Sequence, residues 1–129
     1  ERHPVTSWLW YLRRFAAIGD ARPNPAHHAL AALERWQLAR GREFLLVTQN
    51  VDALHEQAGS QRLVHVHGRA DRVRCSRPGC EHAAPRGTLP RDLEVQAAFL
   101  RAPTSATLPR CPACGAVLRQ HVLWFDEYY

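Results

Sequence analysis

The sequence predicts an α/β fold built on part of a parallel sheet, interrupted by an inserted helical and four-cysteine module. Three observations predict it. Phe44-Leu45-Leu46-Val47 is a wholly apolar run followed at once by the polar Thr48-Gln49-Asn50, which reads as a strand buried on both faces. A short helical segment then leads to Leu63-Val64-His65-Val66-His67-Gly68, an alternating second strand, so that strand, loop, helix and strand follow one another in the Rossmann-like manner. From Val73 to Leu118 the texture changes to two cysteine pairs, prolines and arginine-rich connectors, which sets this stretch apart as an insertion.

Taken in order, Thr6 and Ser7 can cap a helix over about 8–17, with Trp8, Leu9, Leu12, Phe15 and Ala16 as its apolar face before Gly19. Tyr11 and Arg14 fall three residues apart on this helix and therefore on one side of it, able to address one ligand. The second helix has Asn24 as cap, Pro25 at its first position, a body through Leu30, Leu33 and Trp36, and Gly41 beyond its end; it is expected to pack on a sheet. After the first strand, Gln49, Asn50 and Asp52 stand where a ligand binds in open parallel sheets, outside the carboxyl ends of the strands. A helix over 53–58 stops at Gly59, one more is expected over 93–100, and Val122-Leu123-Trp124-Phe125 returns as a strand after the insertion.

Composition narrows the function classes. The chain has 129 residues, 46% of them hydrophobic, enough for a buried core. Its 17 basic residues are all arginine and are dispersed, which reads as solvated surface rather than as a phosphate-binding face; Arg74 and Arg77 near the cysteines give a nucleic-acid reading little support. No apolar run approaches the roughly 18 residues of a membrane span and no signal-like start is visible, so a cytoplasmic protein is expected, without a membrane partner. The absence of methionine and the start at Glu1 suggest a fragment.

The pairs Cys75-x4-Cys80 and Cys111-x2-Cys114 let two tight turns, at Pro78-Gly79 and Pro112-Ala113, bring four thiolates into the tetrahedron that zinc prefers. The module is therefore expected to be a zinc ribbon with four cysteine ligands. Four thiolates leave the ion no open position, so the metal is structural; two disulfides are the alternative, disfavoured by a reducing compartment.

Several stretches together resemble the sirtuins, which are NAD-dependent protein deacylases. They are Pro23-Asn24 with Ala26-His27; Thr48-Gln49-Asn50-Val51-Asp52 with Leu54-His55 and Ala58-Gly59; His65-Val66-His67-Gly68; the cysteine pairs; and Leu118-Arg119 with His121-Val122-Leu123-Trp124-Phe125. They cover the chain from about Trp8 to Glu127, in the family's order. The resemblance implies the central part of a sirtuin catalytic domain, with 68–120 as the zinc-binding module and 1–67 and 121–129 in the helical module and Rossmann-like sheet. It implies that His67 is the general base, that Gln49, Asn50, Val51 and Asp52 contact NAD, and that acylated-lysine proteins or peptides are the substrates. A helix-capping role for Asn50 and Asp52 is the plainer alternative, and His65 is expected to be structural. Tyr11 and Arg14 match the Tyr-x-x-Arg pair of the subgroup that removes succinyl and malonyl groups, and an arginine fork suits an acyl carboxylate.

Two departures accompany the resemblance. Relatives often carry Arg-Pro and Phe-Gly-Glu where this chain has Arg119-Gln120 and Phe125-Asp126-Glu127, which bears on peptide binding. No glycine-rich turn near the N-terminus cradles a pyrophosphate, so the chain alone is expected to bind NAD poorly. The rival functions are a nonenzymatic zinc ribbon that binds nucleic acid or protein, and an ADP-ribosyltransferase sharing the same site.

Overall fold

The computed structural model describes residues 3–124 and 127. They form two compact units, one of 3–17 with 70–121 and the other of 18–69 with 122–124 and 127.

The first unit is built on a three-stranded sheet in the order β4-β3-β5, with β3 Gly68–Cys75, β4 Leu89–Pro90 and β5 Leu118–Val122. β3 and β4 pair antiparallel, with Val73 opposite Leu89. Helix α1 (Pro4–Asp20) supplies Trp8 and Leu12 to the core, and helix α4 (Leu93–Arg101) supplies Phe99. The indole of Trp8 packs 6.1 Å from the Phe99 ring and donates from Nε1 to the Leu118 carbonyl at 2.8 Å, so the polar tip of a buried tryptophan is satisfied. Asp92 caps α4 by accepting from the N–H groups of Glu94 and Val95, which explains where that helix begins.

Helix α1 starts earlier than its capping residues suggested. Pro4, already suited to a first turn, begins it, so Thr6 and Ser7 lie inside the helix. Ala16 is exposed, because the stripe that turns inward is Trp8, Leu12 and Phe15.

The second unit holds the parallel pair β1 (Leu46–Thr48) and β2 (Leu63–His65), in register Thr48 opposite His65, with helices α2 (Pro25–Leu38) and α3 (Leu54–Gln57). The start of α2 follows the sequence: the Asn24 side chain accepts from Ala26 and His27 N–H, while His27 Nδ1 accepts from Asn24 N–H. Its apolar face does not. Leu33 and Trp36 are exposed, and the residues turned inward are Ala31 and Glu34. The Glu34 carboxylate accepts from the N–H groups of Gln61 and Arg62, at distances down to 2.8 Å, immediately before β2. A buried charge is tolerated there because backbone donors surround it.

β1 is displaced by two residues from the apolar run and has one open face: Val47 is 56% exposed and Thr48 is buried. The expectation of burial on both faces fails within the described residues because only β2 pairs with β1. β2 stops at His65, and Val66-His67 forms the turn into β3, with Gly68 at φ +84°. The strand expected over 122–125 lies instead at Leu118–Val122, in the sheet of the cysteine unit. Phe125 and Asp126 lie outside the described residues.

Candidate active site and cysteine cluster

Parallel pairing brings two loops to the same end of the second unit's sheet, because both β1 and β2 run toward it. One is 49–53, between β1 and α3; the other is the Val66-His67 turn. Local hydrogen bonds shape both. Thr48 Oγ1 accepts from Asn50 N–H at 3.1 Å, the Thr48 carbonyl accepts from Val66 N–H at 3.0 Å, and the His67 carbonyl accepts from Leu123 N–H at 2.9 Å. The His67 ring is half-buried, with Nε2 3.4 Å from Gln49 Oε1. An amide presents either a donor or an acceptor by rotation, so Gln49 can match either tautomer of the ring.

Asp52 is not the cap of α3, which begins after Ala53 with no side-chain cap; its Oδ1 accepts from Leu54 N–H at 3.0 Å in a local turn that leads into the helix. The Asn50 side chain has no such duty; the bond to Thr48 in this loop uses only its backbone N–H. Val51 is half-buried between them.

The sequence missed what holds this loop. His65 Nδ1 lies 3.0 Å from the Asn50 carbonyl and its Nε2 3.0 Å from Glu56 Oε1, which also accepts from Arg69 Nη1 at 2.6 Å. His65 is structural in this sense, as expected, but it braces the loop that carries Asn50. Only the pairing register reveals this, since Glu56 and Arg69 are unremarkable surface types in the sequence. His55 is buried on α3, its ring centroid 4.6 Å from that of His27; burial pushes its pKa down, with the His27 charge acting the same way.

In the first unit, Tyr11 is half-buried between Trp10, 4.7 Å away edge-on, and Phe15, 5.3 Å away. Arg14 is exposed, with its guanidinium 4.7 Å from the Trp10 ring centroid and no carboxylate bonded to it among the described residues. Trp10 is thus an unforeseen platform that fixes the arginine's direction.

The four cysteines do converge. Their sulfurs all lie within 4.8 Å of one another, with Cys75 to Cys114 at 3.5 Å and Cys80 to Cys111 at 3.8 Å. A tetrahedron with metal–sulfur bonds of about 2.3 Å has edges of about 3.8 Å, so the cluster fits zinc and its sulfurs stand far beyond disulfide length. Each pair is shaped by a tight turn: Gly115 N–H donates to the Cys111 carbonyl and Cys111 N–H to the Ala116 carbonyl, while Cys80 N–H donates to the Arg77 carbonyl. Burial pushes the Cys75 thiol up to about 12, whereas the Ala116 backbone N–H holds Cys114 down at about 7. A bound dication overrides the first effect, since coordinated thiols are deprotonated.

Comparison with known proteins places the chain. The Sir2 family model matches residues 2–129. A Thermus thermophilus protein named NAD-dependent protein deacylase is 44% identical over 127 residues, which is 98% of this chain and 43% of that protein. A solved Sir2 homolog in complex with NAD is 38% identical at a TM-score of 0.72, covering 98% of this chain and 42% of its own. A Sir2 protein bound to acetylated peptide is 25% identical at a TM-score of 0.73, with 98% and 46% covered. The chain therefore spans less than half the length of the relatives it matches.

Proposed function

This chain belongs to the Sir2 family, and on that premise we propose that it carries the catalytic histidine and structural zinc module of an NAD-dependent protein-lysine deacylase. The observation that carries the reading is the position of His67 against Gln49, beside loop 49–53, at the carboxyl ends of two parallel strands. NAD, when bound, supplies the ADP-ribose that receives the acyl group and the nicotinamide that leaves. Asn50 and Asp52 offer an amide and a carboxylate to its ribose and carboxamide, a donor set that suits both. Gln49 precedes them and Val51 lies between them in the same loop. His67 would take a proton from a ribose hydroxyl of the bound cofactor, the work of a general base.

The substrates in this reading are acylated-lysine peptides, as in the relative bound to acetylated peptide. Tyr11 and Arg14 extend it to acidic acyl groups, because Arg14 has no carboxylate partner among the described residues and Trp10 orients it. Succinyl and malonyl lysine would present the missing carboxylate. Residues 68–120 serve as the zinc-binding module of a catalytic domain to which the whole chain contributes. Zinc-ligating thiols suit a reducing compartment, hence the cytoplasm. No helix among the described residues is long and apolar enough to cross a membrane.

The test uses the full-length protein with acetyl, malonyl and succinyl peptides, following both nicotinamide release and peptide deacylation. Deacylation that requires NAD and is lost in His67→Ala supports the proposal. Nicotinamide release that is indifferent to acyl peptide would favour an ADP-ribosyltransferase instead.

A further inference from the structure

A cleft of about 440 Å³ opens in the first unit, within the range of about 300–1,000 Å³ typical of small-molecule sites. Trp8, Val73, Leu89 and Leu118 line its apolar wall, backed by the rigid rings of Pro90, Pro109 and Pro112. None of the residues assigned above to catalysis, cofactor, acyl group or metal belongs to it.

Its polar lining is cationic and incompletely partnered. Arg91 is held in place by the Ala70 carbonyl at 3.1 Å and by Gln96 Oε1 at 2.6 Å, with its guanidinium 5.1 Å from the Phe15 ring centroid. No carboxylate bonds to it among the described residues. Burial pushes its pKa down and the charge of Asp71 offsets only part of this, so the cation is incompletely compensated. Gln96 is only 5% exposed, and its Nε2 has no hydrogen-bond partner among the described residues. Arg110, also in the lining, is positioned by the Gly115 and Ser105 carbonyls and likewise has no carboxylate partner among the described residues. The one acid in the lining among the described residues, Asp92, has its Oδ1 committed to two N–H groups at the start of α4, where the helix dipole offsets its charge.

We infer that this cleft is a binding site for a small organic carboxylate with an apolar, preferably flat body, whose carboxylate pairs with Arg91 and Arg110. The apolar wall takes the body, and the two guanidinium groups, which have no carboxylate partner among the described residues, and Gln96 Nε2, which has no acceptor among them, supply the donors. The site stands apart from the deacylase reading, so its failure and that of the deacylase reading are separable.

The test is titration of the zinc-loaded full-length protein with 4-phenylbutyrate and with its neutral amide, followed by ¹H–¹⁵N correlation spectra. Saturable shifts at Trp8, Arg91 and Gln96 with a Kd in about the millimolar range or tighter are expected for the acid, and about tenfold weaker binding for the amide. Arg91→Gln should weaken the acid by about tenfold and leave the amide unchanged. Should that variant lose the dispersion of a folded spectrum, the exposed Arg110→Gln decides: it should weaken the acid by about threefold or more. Equal binding of acid and amide, shifts confined to other regions, or an acid affinity unmoved by Arg110→Gln in a folded protein would overturn the inference.

Discussion

The cysteine cluster and the histidine site are organised on opposite principles. The cluster draws its four ligands from two turns whose internal spacing is local, and one ion can hold them together regardless of what surrounds it. The histidine site is assembled from backbone contacts among β1, β2 and two loops, and its bracing depends on Glu56, His65 and Arg69, which become neighbours only when the strands pair. A metal site of this kind tolerates change around it and fails when a ligand is lost. The loop site is lost by degrees.

The severest separation of the two comes from zinc removal. Chelation, or Cys111→Ser, is expected to unfold the first unit, since structural zinc in small modules contributes on the order of 10 kcal/mol to folding. One zinc per chain released to a chromogenic chelator, with collapse of the amide dispersion of residues 70–121, is the readout. A chelated chain that kept its dispersion would mean that the core around Trp8 and Phe99 stands alone.

His67→Ala in the full-length protein should do the reverse: about 10²–10⁴-fold lower kcat with little change in Tm, as expected of a half-buried ring that acts as the proposed general base. A fall in Tm as large as that of a cysteine variant would make His67 structural. Glu34→Ala should destabilise the second unit by about 1–3 kcal/mol, leaving the N–H groups of Gln61 and Arg62 without an acceptor and loosening the entry to β2. Urea unfolding monitored separately for the two units would show whether the loss stays in one.

Arg14→Met should cut desuccinylation by about tenfold or more while leaving deacetylation within about twofold, the signature of a residue that reads only the acyl carboxylate. The smallest effect is that of pH on His55. Its pKa is lower folded than unfolded, so the unfolded chain binds the extra proton. The stability this contributes is complete above the ordinary value of 6.5 and is lost as pH falls toward the folded pKa. Thermal melts between pH 7.5 and 5.5 should therefore slope downward toward acid, and less steeply in His55→Asn.

Much of this was legible in the chain. The Asn24 cap, the Pro25 start, the α3 segment ended by Gly59, and the convergence of Cys75, Cys80, Cys111 and Cys114 all depend on residues within a few positions of one another, or on a ligand chemistry strict enough to impose distance. The α/β class followed from the strand–helix–strand order, and the Sir2 family from motifs spread over the chain.

What the chain could not show is which face of an element meets which neighbour. Leu33, Trp36 and Val47 looked like core by composition and are exposed, whereas Glu34 is buried because the N–H groups of residues 61 and 62 happen to reach it. The strand after the insertion lies at Leu118–Val122 rather than at the most apolar run, since pairing in the β4-β3-β5 sheet outweighs local hydrophobicity. By itself, then, the sequence determined the Asn24 cap, the cysteine set and the family, because these reside in short-range patterns. Tertiary structure alone decided the loop brace around His65, the Trp10 platform under Arg14 and the Arg91 cleft, because each depends on groups brought together by packing and not by spacing.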